Sequence, residues 1–152
     1  MKLLLLTLII ISLGFSKPLS LPDSNKTPGD CIIGVMLHYV CNNYLEIKFP
    51  SATIVRIVFN NYDIPIESLG YDYKLDHLIP MELGGSNDIR NLWPLTTTGQ
   101  WTFKKKKLLE KRLVWLACNG KISLREAQEI LAKNWIDAYK IYMYDTTLQE
   151  KY

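Results

Sequence analysis

The sequence predicts a small α+β domain. One strand-like stretch, "GYDYKLDHLI", lies near the middle, where Tyr73 and Leu75 alternate with Asp72, Lys74 and Asp76. Two long segments with helical spacing of apolar residues follow it. The length of 152 residues provides for one core and not two. Apolar residues make up 48% and charged residues 22%, ordinary values for a globular chain. The net charge of +3 permits an anionic partner without arguing for one.

The chain opens with Met1-Lys2 and a 13-residue apolar run from Leu3 to Phe15. A membrane helix needs about 20 residues, so this run is short for a span. The basic start, the apolar core and the small residues Gly14 and Ser16 predict a secretory signal peptide over residues 1–16, with Ser20 as the other candidate cleavage site. Removing Lys2 with it leaves 17 Lys+Arg against 15 Asp+Glu. Residues 17–30, "KPLSLPDSNKTPGD", read as an extended lead-in.

The remaining elements follow in order. "GVMLHYV" and "YLEIKF" suit short strands or a first helical turn. Ser51 caps a short helix, "ATIVRIVFNNY", in which Ile54, Val55, Val58 and Phe59 recur at helical spacing. The strand comes next, and then a loop held by Pro80, Gly84-Gly85 and Pro94. A helix from about Trp101 places Leu109, Leu113 and Leu116 on one stripe and Lys104, Lys107 and Lys111 on the other side. It ends near Asn119-Gly120. Ser123 and Glu126 form a capping box for a last helix, whose apolar face is Leu124, Ala127, Leu131, Trp135, Ala138 and Tyr142. Residues 146–152 read as a frayed terminus.

Three cysteines in an exported chain predict one disulfide and one odd thiol. No C-x-x-C pair occurs, which argues against a structural zinc site of the usual spacing. His38 sits among apolar residues with no acidic neighbour and reads as a packed or surface histidine.

The chemistry concentrates in "KLDHLIPMELGGSNDIRNLWP". Asn91 lies 15 residues after Asp76, and the Gly-Gly reversal can bring it back towards Asp76 and His77. Asp and Asn oxygens suit a hard cation such as Mg²⁺. Histidine accepts a proton from water near neutral pH. Together these are the parts that phosphodiester hydrolysis uses.

At these residues the chain resembles the HNH endonucleases, the ββα-metal group, in which Asp-His opens the motif and Asn-Leu follows a Gly-Gly loop. It is similar outward to a subgroup of small exported HNH-like proteins, through "TPGD" at 27–30, Cys41, "KKLLE" at 106–110, "CNGKISLREAQ" at 118–128, and Trp135 with Tyr139. The resemblance implies an α+β fold centred on a ββα-metal motif, with additional packing helices, over residues 31–145. It implies Asp76 as a metal ligand and His77 as the general base. Asn91 is read as a second ligand rather than an orienter of His77, because no histidine follows His77. Glu82 and Asp88 are candidates to complete the site. The cofactor is a divalent cation, Mg²⁺ ahead of Mn²⁺. The disulfide implied is Cys41–Cys118, leaving Cys31 free. Arg90, Lys104, Lys105, Lys107 and Lys111 are the expected phosphate contacts. The subgroup often has Asp where this chain has Lys107.

The reading is a secreted or periplasmic, metal-dependent endonuclease with little sequence specificity, acting on DNA ahead of RNA. No stable membrane association is expected once the signal is removed. The alternative is a non-catalytic nucleic-acid-binding or structural protein that retains a degenerate HNH fold.

Overall fold

A computed structural model of the chain describes residues 19–46 and 48–144. The expected signal peptide, residues 17–18 of the lead-in and the expected frayed terminus lie outside the described residues. Among the described residues there are four α-helices and one two-stranded antiparallel sheet, so the α+β class is observed. The helices are α1 (Leu37–Cys41), α2 (Ala52–Asn61), α3 (Phe103–Cys118) and α4 (Leu124–Tyr144). The strands are β1 (Tyr73–His77) and β2 (Leu92–Thr96), paired so that Asp76 faces Trp93 and His77 faces Leu92.

Side-chain caps start two of the four helices. The Ser51 hydroxyl accepts from the Ile54 amide at 3.4 Å and starts α2. The Ser123 and Glu126 side chains exchange hydrogen bonds with each other's backbone amides, the reciprocal cap expected for α4. "GVMLHYV" resolves in favour of helix, as α1, while the described residues of "YLEIKF" form no regular element.

Two features depart from the sequence reading. The last helix is broken at Asn134, which takes an extended conformation (φ −169°, ψ 98°). Its side-chain oxygen accepts from the amides of Ile136 and Asp137, so Asn134 caps a fresh helical segment inside α4. The lead-in is extended but is no free linker. The Leu19 carbonyl accepts from the Thr96 amide, and the Ser20 carbonyl accepts from the Trp135 indole at 2.8 Å. Thr27 is buried and donates to the Leu92 carbonyl.

The core forms where α3 and α4 cover the sheet. Leu78, Leu83, Trp93, Leu95, Leu109, Leu113, Leu131 and Trp135 are its most fully buried members. All of β2 is buried. Cys41 and Cys118 are joined, with Cα atoms 5.5 Å apart, tying α1 to the end of α3 as expected. Cys31 is the free thiol. Burial, and then Asp30, pushes its pKa up, which keeps it protonated and unreactive.

Candidate functional site

The loop after β1 is held by one side chain. Asn91 is fully buried, and its oxygen accepts from the Ile79 amide at 2.9 Å and the Asp30 amide at 3.4 Å. Its nitrogen donates to the carbonyls of Ile79 and Ser86, each at 2.9 Å. Two acceptances and two donations use the whole amide. Asn91 is therefore placed as a clasp, its amide taken up by backbone partners, and the metal-ligand role expected of it is not seen. The clasp needs Gly85, because a Cβ there would overlap the Ile79 carbonyl oxygen.

The ring of His77 is oriented by a residue the sequence reading did not single out. His77 Nε2 lies 2.8 Å from Asn87 Oδ1. Asn87 Nδ2 in turn donates to the Lys48 carbonyl at 2.6 Å, which fixes the amide so that its oxygen faces the ring. That oxygen can only accept, so Nε2 carries the proton and Nδ1 carries the lone pair. Burial holds the His77 pKa below the ordinary histidine value of 6.5. The Asn87 bond and Asp76 oppose that shift, while Lys107 and Lys106 add to it. The lowered pKa favours the neutral imidazole near pH 7, and the Asn87 contact favours the tautomer protonated at Nε2.

Asp76 faces α3, against the alternation that would turn it to solvent. It is 1% exposed, and the ammonium of Lys106 lies 2.7 Å from its Oδ2. Neither carboxylate oxygen receives an aligned hydrogen bond, so the contact is a bare ion pair. Lys106 is itself fully buried and also donates to the His77 carbonyl and to Glu110 Oε1, both at 2.6 Å. Lys107, beside it, reaches Glu110 at 2.7 Å and Asp76 Oδ1 at 3.7 Å. Burial opposes the Lys107 charge, but Asp76, Glu110 and Glu82 outweigh it and raise its pKa. Burial pushes the Glu110 carboxyl up, against the pull of Lys106.

No family model, curated protein or solved structure matches this chain.

The expected phosphate contacts divide into two groups. Lys104 and Lys111 are exposed on α3. Lys105 lies over the Trp101 ring at 4.7 Å, a cation–π contact that leaves the residue half-buried. Lys107 holds its ammonium in the charge group, while its side chain as a whole is partly exposed. Arg90 is exposed but is forked onto Asp88 and paired with Asp30 at 3.0 Å, so its charge is already shared. A cavity of about 470 Å³ opens beside Lys107 and Lys111, with Val40, Leu45, Glu82 and Glu110 on its other walls.

Among the described residues, no group of three or more His, Cys, Asp or Glu side chains is placed to hold a divalent cation. Asp88 is turned onto Arg90, and Glu82 stands at the cavity. The one carboxylate pair near His77, Asp76 with Glu110, already brackets an ammonium. These residues, in this arrangement, do not fit a divalent cation.

Proposed function

We propose that the chain is an HNH-like endonuclease that hydrolyses phosphodiester bonds of nucleic acid at His77. The observation that carries the reading is the fixed tautomer of His77, a neutral imidazole at the end of β1 with its Nε2 proton directed to Asn87. β1, the clasped loop, β2 and α3 follow in the order the resemblance implies, which supports it further.

In the proposed step, His77 Nδ1 takes a proton from water as the water oxygen bonds to phosphorus. One ester P–O bond breaks, and the leaving oxygen is protonated by solvent. The imidazolium then returns its proton to water. Charge builds on the phosphoryl oxygens, and Lys107, whose side chain is partly exposed beside Asp76, is the cation proposed to meet it. Lys104 and Lys111 continue the basic face along α3 and would hold the backbone without reading bases. The disulfide and the apolar start of the sequence favour a secreted or periplasmic location. Among the described residues no helix is long and apolar enough to cross a membrane.

Incubation of the disulfide-bonded protein with plasmid DNA and with RNA tests the reading. Nicking that His77→Ala abolishes supports it. Retention of nucleic acid without any cutting supports the binding-protein alternative, which the sealed position of Asp76 favours.

A further inference from the structure

We propose that Lys106 fills the place beside Asp76 that a divalent cation would occupy, so that the site carries its own cation and takes no metal there. The extension to catalysis rests on the nuclease reading above; the claim about the ion does not.

Asp76 Oδ2, Glu110 Oε1 and the His77 carbonyl oxygen converge on one point. Three hard oxygens, two of them anionic, are what Mg²⁺ or Mn²⁺ selects. The Lys106 nitrogen sits at that point, within 2.7 Å of all three. Two of the contacts, to the His77 carbonyl and Glu110 Oε1, are hydrogen bonds, and the third, to Asp76 Oδ2, is a bare ion pair.

The charges of the group balance: Asp76 and Glu110 are opposed by Lys106 and Lys107, two of each sign. All but Lys107 are buried. A divalent cation added to this group would leave two positive charges uncompensated in a site shielded from water, which proteins avoid.

Lys106 binds the carbonyl of His77 itself and so ties the base to the carboxylate pair. Lys106 is thus a positioning residue that never meets substrate. Lys107, with a side chain 34% exposed, is the member of the group that can face a phosphate.

The test titrates Mn²⁺ into the disulfide-bonded protein and reads the free ion by electron paramagnetic resonance. Parent protein is expected to leave Mn²⁺ free up to about 1 mM, the weak end of protein affinities for hard cations. Lys106→Ala empties the point between the three oxygens and is expected to take up one ion, with a rise in thermal midpoint on adding Mn²⁺. An ion bound by the parent and lost in Asp76→Asn overturns the proposal. An ion that survives Asp76→Asn is held elsewhere and leaves it standing. A folded Lys106→Ala protein that takes up nothing overturns the claim that this lysine closes the place. If that variant does not fold, the comparison of parent with Asp76→Asn decides alone.

Cleavage supplies a second readout. Nicking at the same rate in EDTA and in Mg²⁺ supports the proposal, and nicking that EDTA stops counts against it. No nicking under any condition removes the nuclease reading, and the Mn²⁺ titration still decides the ion.

Discussion

His77 is defined by its neighbours rather than by its own exposure, which is only 8%. Because its folded pKa is lowered, the unfolded chain binds the proton more readily than the folded one. Stability is therefore unaffected by this residue above about pH 6.5 and declines as pH falls below it. Denaturant midpoints measured from neutral to mildly acidic pH are expected to drop, and to drop less in His77→Gln. The acid limb of the cleavage rate is expected below the pKa of a free histidine. Asn87→Ala frees the tautomer and should lower the rate while the protein stays folded. Lys106 makes the opposite kind of statement. Lys106→Met strands Asp76 and Glu110 in a buried site, and breaking such a group costs about 3–5 kcal/mol. Urea unfolding of that variant checks it, and an unchanged midpoint would mean that the ion pairs contribute nothing net.

At the scale of elements, α3 carries most of the account. Its inner stripe of Leu109, Leu113 and Leu116 was legible from spacing alone. The same stripe extends back to Lys106, three residues before Leu109, and that position was readable as a lysine on an apolar face in need of a partner. What the sequence could not show is which carboxylates would meet it, since Asp76 comes from β1 and its burial depends on how α3 lies across the strand. The clasp by Asn91 was hidden for the same reason. An Asn after a Gly-Gly loop is compatible with a ligand or a clasp, and only the positions of Ile79 and Ser86 decide. The break in α4 did leave a signal, because Asn134 with Asp137 has the spacing of a cap, masked by continuous apolar periodicity across it. The outer face of α3 yields a prediction. Lys104→Gln with Lys111→Gln should weaken binding to unrelated nucleic acids alike, and lessen the salt slope by up to about 0.9 for each lost contact. Filter binding across a salt series measures this, and an unchanged slope would make these lysines a solvated face.

For the whole molecule, two ties close the fold around the site. Residues 19–30 strap β2, α4 and the clasped loop together through Leu19, Ser20, Thr27 and Gly29. The Cys41–Cys118 bond closes a loop with a sequence separation of 77. In the chain-entropy account a loop of that size stabilises by about 4 kcal/mol. Reduction, or Cys41→Ser with Cys118→Ser, is expected to lower the unfolding free energy by an amount of that order in urea titrations. The Cys31→Ser protein should behave like the parent, since Cys31 stands outside the bond. The central claim is that this fold presents His77 as a base to a phosphodiester. Plasmid nicking by the parent and by His77→Ala, with both proteins shown folded by circular dichroism, tests it most directly. The account predicts a loss of about 10²–10⁴ in rate on removing the base, with nucleic-acid binding retained. Equal nicking by the two proteins would contradict it.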